Sequence, residues 1–130
     1  NKMLNIICND KLSFAQQKGI AVTAEIGDVD FSDMRDIDIT TIFANLLDNA
    51  IEAAADTPTP YLKLKIQEVH SFRVVSLINS ALPDQKKSGH MGLGLENVRH
   101  TVETYSGTIN REQLADEFHI SLMLPGKENV

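Results

Sequence analysis

Two asparagines, Asn45 and Asn49, are the residues of this sequence best suited to chemistry. They lie four residues apart in the apolar-patterned stretch 38–54, so a helix there places both amides on one edge, one turn apart. Asparagine is a mediocre helix former, because its side chain competes for backbone hydrogen bonds. Mg²⁺ prefers oxygen ligands and needs only one or two from the protein when phosphate and water complete its octahedron. The pair is therefore a candidate magnesium site, and the alternative is two solvated polar positions.

A glycine-rich segment, residues 89–94, is the second candidate for phosphate chemistry. It has three glycines in six residues, and the pattern places them in a turn immediately before a helix that opens at 92. Such a turn lets backbone N–H groups approach a ligand, and the helix N-terminus adds partial positive charge. Taken alone, the glycines are equally typical of an ordinary loop. No Gly-Lys-Ser/Thr follows, which excludes a P-loop, and Asn97 stands where a dinucleotide-binding fingerprint has its third glycine.

Composition limits the function further. A chain of 130 residues is long enough for one domain with a real core, and its formal charge of −6 argues against a nucleic-acid-binding surface. The single cysteine, Cys8, excludes an internal disulfide and indicates a reducing cytosolic setting. No apolar run reaches the roughly 18 residues of a membrane span. The pattern is already helical at the first residues, so we expect residues 1–130 to be a single domain excised from a longer protein.

The elements that must position these motifs follow from periodicity. We predict an α+β fold, a two-layer sandwich in which a mixed, mostly antiparallel sheet carries the helices on one face. Asp38 is the expected N-cap of the asparagine helix, the strand at 20–26 is expected to be half-buried, and His70-Ser71 is expected to form a hairpin turn. A polar loop at 80–91 is long enough to be functional. The three predicted helices are 2–18, 38–54 and 92–105, and the five strands are 20–26, 61–69, 72–78, 108–112 and 118–124.

Together, Asn45-Leu-Leu-Asp-Asn-Ala-Ile-Glu-Ala53 and, some forty residues later, Gly89-x-x-Gly-Leu-Gly-Leu-Glu-Asn-Val98 resemble the GHKL or Bergerat-fold ATP-binding domain of sensor histidine kinases. The order of elements is similar too, so the resemblance covers about residues 2–125. It is closest to the subgroup of NatK-like kinases and peptide quorum-sensor kinases. The resemblance implies ATP and Mg²⁺ as cofactors and transfer of the γ-phosphoryl group to a histidine on a separate dimerisation domain.

The same resemblance implies further partners and a location. The parent would be a homodimeric, membrane-bound sensor kinase that acts on a response regulator, and this domain would lie in the cytoplasm without touching membrane or nucleic acid. None of the four histidines is expected to be the phosphoacceptor, since that residue belongs to the dimerisation domain.

Site residues are implied position by position. Asn49 and Asn45 would ligate Mg²⁺ at the catalytic centre, and the loop at 80–91 would be the ATP lid. Asn79 stands where most histidine kinases have an aspartate that accepts from the adenine amine, so charge assistance is lost and nucleotide binding is expected to be weaker. The other implied nucleotide-binding residues are Lys86, Lys87, Gly89, Gly92, Leu93, Gly94 and Leu95.

Two alternatives stay open. Relatives that hydrolyse ATP or phosphorylate serine resemble each other in having a glutamate base at the position of Asn45. A neutral amide is a poor base. Histidine phosphorylation is therefore favoured over an anti-sigma-like serine kinase. Glu52 replaces the lysine or arginine of many relatives, which is compatible with a degenerate module that acts through protein contacts. The kinase interpretation requires the two amides to face the glycines across a hollow that admits a triphosphate.

Overall fold

The computed structural model describes residues 1–83 and 89–126, and only the backbone of residues 89–93. These residues form three helices and five strands in the order α1, β1, α2, β2, β3, α3, β4, β5. The helices are α1 (Lys2–Gln17), α2 (Asp36–Ala55) and α3 (Gly89–Thr104), and the strands are β1 (Ala21–Ile26), β2 (Tyr61–Val69), β3 (Phe72–Ser80), β4 (Thr108–Gln113) and β5 (Glu117–Pro125).

The five strands form one sheet in the spatial order β1-β2-β3-β5-β4. Only the β1–β2 pair is parallel, because α2 lies between these strands in the chain, and the other three pairs are antiparallel. His70 and Ser71 turn β2 into β3 with φ angles of 50° and 68°, as the hairpin prediction requires. The predicted α+β sandwich with a mixed sheet is confirmed.

The core lies between the helices and one face of this sheet. From α2, side chains at three- and four-residue steps are buried, and they meet the alternate residues of β2, β3 and β5 that point to the same face. On the opposite face, β2 carries Lys63, Lys65 and Gln67, whereas β3 carries the partly exposed apolar residues Phe72, Val74 and Ile78. Fully buried residues of this core include Ile39, Ile42, Phe43, Leu47, Leu62, Val75 and Leu122.

Two local predictions are wrong. Strand β1 is an edge strand in which only Val22 is half-buried and the other five residues are exposed, because nothing pairs with its outer edge among the described residues. Asp38 is not the N-cap of α2: the cap is Arg35, which makes no side-chain capping bond, and the helix starts at Asp36. Asp38 therefore lies in the first turn, where tertiary partners described below engage its carboxylate.

A buried arginine ties the segment between β1 and α2 to the sheet. Arg73 of β3 is 1% exposed, and its guanidinium donates to both carboxylate oxygens of Asp33, at 2.5 and 3.2 Å. It also donates to the carbonyls of Asp30 and Pro125, at 3.0 and 2.5 Å. These bonds compensate the buried charge of Arg73. The side chain lies on the helix-facing side of β3, a strand for which the sequence pattern predicts two apolar faces.

Candidate functional site

The two asparagines lie on the same edge of α2 but have different partners. Asn45 donates from Nδ2 to the carbonyl of Thr41 at 2.7 Å, so its Oδ1 points away from the helix backbone. Asn49 is half-buried, and its Nδ2 is fully buried without a hydrogen-bond partner among the described residues. An unpaired buried donor is rare and costly, so this atom marks a place where the ligand-free protein is incompletely satisfied.

Gly94 of α3 faces both amides. A Cβ placed on Gly94 would lie 3.4 Å from Asn45 Oδ1, 3.4 Å from Asn49 Nδ2 and 3.6 Å from Asn49 Oδ1. These are ordinary contact distances, so an alanine would fit at this position and only a longer side chain would separate α3 from the amide edge of α2. Gly94 therefore lies beside the amide pair, but the space between them takes little more than a methyl group and not the triphosphate that the prediction requires there.

Gly92 and Gly94 are helical, as the predicted helix 92–105 requires, and Gly89, which was predicted to precede that helix, is helical too. Helix α3 begins at Gly89, so Gly92 and Gly94 lie within its first two turns. Only the first four N–H groups of a helix lack an intrahelical acceptor, which leaves those of residues 89–92 available and places Gly94 beyond them. Glycine is a poor helix residue by propensity alone, but close helix packing overrides that preference.

A narrow cleft continues from Asn49 between α2, α3 and the sheet. Its free volume is about 10 Å³, close to the space of a single water molecule. The cleft is lined by Leu46, Asn49, Ala50, Ala53, Leu77, Asn79, Leu95, Phe118 and Ile120. Asn49, Asn79 and Leu95 are thus brought to one place, and this cleft by itself is too small for a triphosphate.

Asn79 lies at the bottom of this cleft with 2% of its surface exposed. It belongs to β3, which runs two residues further than predicted, and its Nδ2 donates to the carbonyl of Ser80 at 2.9 Å. That bond orients the amide so that its oxygen is the group left for an incoming donor. Ser80 itself is buried, and its Oγ accepts from the backbone N–H of Tyr61 at 3.1 Å and shares a hydrogen bond with Thr57 at 2.9 Å.

Several predicted site residues cannot be located by side chain. Lys86 and Lys87 lie outside the described residues, as does the rest of 84–88 in the middle of the predicted lid. Gly89, Gly92 and Leu93 are placed only by their backbone, in the first turns of α3. Leu95 is buried and lines the cleft.

The donor chemistry of the amide pair fits Mg²⁺. Two amide oxygens are hard ligands, and one or both would complete an octahedron formed mainly by phosphate and water. In the part of the chain that the structure describes, no cluster of three or more His, Cys, Asp or Glu side chains offers a competing metal site. The ion would therefore need phosphate oxygens as its other ligands.

Sequence reasoning missed a polar cluster at the other end of α3. The hydroxyl of Tyr105 donates to Asp38 Oδ2 and accepts the backbone N–H of Arg35 at 3.1 Å. The Arg35 guanidinium donates to the same carboxylate at 3.0 and 3.3 Å. Hydrogen bonds from Arg35 and Tyr105 lower the pKa of Asp38 below its usual value, and burial together with the bond to Asp38 raises the pKa of Tyr105. An aspartate in a first helical turn suggested only a cap.

The lone cysteine plays no part in this site. Cys8 of α1 is buried and unpaired, and burial raises the pKa of its thiol to about 11. It therefore stays protonated and unreactive near neutral pH.

Comparison with known proteins identifies related domains. The family model described as "GHKL domain" matches residues 34–125. No curated protein matches the chain significantly. No helix of the described residues is long and apolar enough to span a membrane.

Solved structures of histidine kinases share this fold. A nucleotide-free form of the catalytic domain of histidine kinase ThkA has a TM-score of 0.77 at 19% identity, over 96% of this chain and 92% of that one. Histidine kinase AdeS of Acinetobacter baumannii gives 0.74 at 14% identity, over 97% and 64%. The histidine kinase domain of Erythrobacter litoralis EL346, a blue-light activated kinase, gives 0.74 at 15% identity, over 95% and 60%. This chain thus covers less than two thirds of the length of each of the last two chains.

Proposed function

This chain belongs to the GHKL family, and from that premise we propose that it is the ATP-binding catalytic domain of a histidine kinase. The observation that carries the proposal is the convergence of Asn45 and Asn49 on Gly94 at the mouth of the cleft that ends at Asn79. Amide oxygens suit a magnesium-bound triphosphate, and a buried acceptor suits the amino group of a base.

Different residues along the cleft are proposed to hold the metal ion, the phosphates and the base of Mg-ATP. Asn45 and Asn49 hold Mg²⁺ through their amide oxygens, and the free N–H groups at the start of α3 donate to phosphate. Asn79 accepts from the adenine amine, with Leu95 and Leu77 as apolar walls for the base. The metal, when bound, supplies charge neutralisation on the phosphates. Lys86 and Lys87 are proposed to add positive charge there.

The proposed reaction is phosphoryl transfer to a histidine of a separate dimerisation domain. Positioning and charge stabilisation supply most of the rate in such reactions, and a basic imidazole needs no further base. The position of Asn45 holds a neutral amide whose Nδ2 is engaged with Thr41, which disfavours activation of water or of a serine hydroxyl. Similarity in fold to histidine kinase domains supports this reaction class.

The proposed partners are the phosphoacceptor domain of a homodimeric sensor kinase and a response regulator. The parent is proposed to be a membrane-bound kinase of the NatK-like or peptide quorum-sensor subgroup, with this domain in the cytoplasm. The basis is that the leading helix, the short glycine box and the asparagine at position 79 in place of the usual aspartate resemble those of that subgroup.

A second candidate, a degenerate module that no longer binds nucleotide, is favoured by the narrowness of the cleft. Isothermal titration with Mg-ADP separates the two. Binding with a Kd between micromolar and low millimolar, lost in Asn49→Ala and retained in the exposed control His100→Ala, is expected for the kinase domain. No heat at millimolar nucleotide would exclude the kinase function and leave the module.

Phosphotransfer is tested separately. The chain combined with a histidine-bearing dimerisation domain of a histidine kinase should form an acid-labile, alkali-stable phosphohistidine from labelled ATP. An acid-stable phosphoserine on an added substrate would instead indicate the serine kinase.

A further inference from the structure

The face of the sheet that the helices leave uncovered carries exposed apolar side chains next to each other. Helices α1, α2 and α3 pack on one face, and no described element covers the other, which we call the outer face. The strand register places Val69 beside Phe72 and Val74 beside Met123 on the outer face. Val69 and Phe72 are each 37% exposed, and Met123 is 41% exposed. Large apolar side chains that are exposed side by side are typical of an interaction surface.

One row of residues crosses the outer face and has opposite charges at its two ends. The register places the following residues side by side in this order: Lys63, Ile78, His119 and Glu112. Neighbouring strands are about 4.8 Å apart, so the two ends of the row are about 14 Å apart. Both end residues are exposed, and neither forms a salt bridge with another described residue. The outer face therefore has an exposed positive charge on β2 and an exposed negative charge on β4.

A hollow of about 430 Å³ lies over β3, β5 and β4, at the negative end of this row. Arg111 and Ile120 border it but alternate toward the helix side of the sheet, since Ile120 is buried. The outward residues that line it are all polar: Ser76, Asn110, Glu112, His119 and Ser121. Hydroxyl, amide and carboxylate oxygens accept hydrogen bonds, so the hollow suits the ammonium group of a long side chain.

A two-fold axis that runs along the strands, between β3 and β5, makes this face complementary to itself. Such an axis exchanges the ends of every row, because β2 and β4 are equally distant from it on opposite sides. Lys63 of one copy then lies over Glu112 of the other and enters the hollow there. Val74 of one copy likewise lies over Met123 of the other. An axis across the strands would instead superpose β2 on β2, which brings lysines together and keeps Glu112 away from them.

The outer face is large enough for a weak dimer. Four strands at about 4.8 Å and eight residues at about 3.3 Å span about 500 Å² per copy, or about 1,000 Å² in total. Specific interfaces bury at least about 1,000 Å², and those below about 1,200 Å² are mostly transient. Aligned sheets pack with their strands within about 30° of each other, so the ends of a row stay within reach of a lysine side chain.

We propose that the outer face is an isologous interface through which two copies of this chain associate, with Lys63 of each copy paired to Glu112 of the other. The nucleotide cleft lies on the helix side of the sheet, so the association needs no nucleotide. The inference is therefore independent of the proposed function, and the contact is separate from the dimerisation domain proposed for the parent.

Sedimentation velocity of the ligand-free chain from about 5 to 500 µM tests the interface. The weight-average sedimentation coefficient should rise from the monomer toward the dimer value, with a Kd of about 10–100 µM. Lys63→Glu and Glu112→Lys should each weaken association by about tenfold or more, because each variant sets like charges against each other at two symmetric places. The double reversal should restore the Kd to within about threefold of the unaltered chain. Lys2→Glu, at an exposed lysine of α1, is the control and should leave the Kd unchanged.

The apolar part of the interface is tested by Met123→Asp, which should abolish association without altering the circular dichroism, since the side chain is exposed. A chain that stays monomeric at 500 µM would refute the proposal and leave the outer face to a different molecule. Association that both single reversals leave unchanged, or that the double reversal does not restore, would refute the two-fold pairing. None of these results bears on Mg-ADP binding, which decides the proposed function by itself.

Discussion

Replacing Asn49 with alanine is expected to stabilise the ligand-free protein while abolishing nucleotide binding. Asn49 Nδ2 is buried without a partner among the described residues, and an unsatisfied buried donor costs about 1–3 kcal/mol. Alanine also gains about 0.6 kcal/mol of helix propensity. Packing lost with the half-buried side chain offsets about 1 kcal/mol of these gains. The net expectation is an increase of about 1 kcal/mol in the free energy of unfolding.

Asn45→Ala is the matched control on the next turn of α2. It loses the 2.7 Å bond to the carbonyl of Thr41, worth about 1 kcal/mol, and gains the same propensity, so its net effect should be about zero. Urea unfolding followed by circular dichroism measures both, because the chain has no tryptophan for fluorescence. For a domain of this size, 1 kcal/mol corresponds to about 4 °C in Tm.

The result that would refute this reasoning is an Asn49→Ala variant less stable than Asn45→Ala. It would mean that the Asn49 amide is satisfied in the ligand-free protein and contributes to folding. If Asn49→Ala is stabilised but still binds Mg-ADP undiminished, the metal lies elsewhere. The roles proposed for the amide pair would then be wrong, although the stability argument would hold.

The remaining predictions concern three other buried polar groups. Arg73→Met should lower the free energy of unfolding by about 3–5 kcal/mol, because it leaves Asp33 and two carbonyls without their donor; a loss below about 1 kcal/mol in urea unfolding would contradict this. The lowered pKa of Asp38 contributes stability above the ordinary aspartate pKa of about 4, and that contribution is lost as pH falls through the lower folded value. Asp38→Asn should therefore flatten the decrease of stability at acid pH, and an unchanged decrease would argue against the bonds of Asp38 to Arg35 and Tyr105. Asn79→Asp should cost the ligand-free protein about 1–3 kcal/mol, since it turns a donor to the Ser80 carbonyl into a buried acceptor; unchanged denaturation would reverse the assigned orientation of the amide.

The local sequence was sufficient for the elements and for the fold class. The apolar stripe of α2, the alternation of β2 and the left-handed hairpin at His70 and Ser71 each follow from short-range periodicity and turn chemistry, and the structure contains all of them. The spacing of Asn45 and Asn49 likewise determined that their amides share one edge of a helix.

Element ends were less predictable, because tertiary contacts override local preference. Helix α3 begins at Gly89, three residues before the predicted start at 92. Asp38 resembled a cap, but its carboxylate binds Tyr105, which lies 67 residues away in the chain. β1 alternates like a half-buried strand, but its place at the edge of the sheet leaves it exposed.

By itself, the sequence determined which groups are available for chemistry: two amides one helical turn apart, a glycine-rich segment and an asparagine at the end of a central strand. Only the tertiary structure decided that Gly94 lies beside the amides, that Asn49 Nδ2 is buried without a partner among the described residues and that Tyr105 binds Asp38. The physical reason is that composition and spacing set the short-range geometry of one element, whereas distances between elements depend on how the whole core packs.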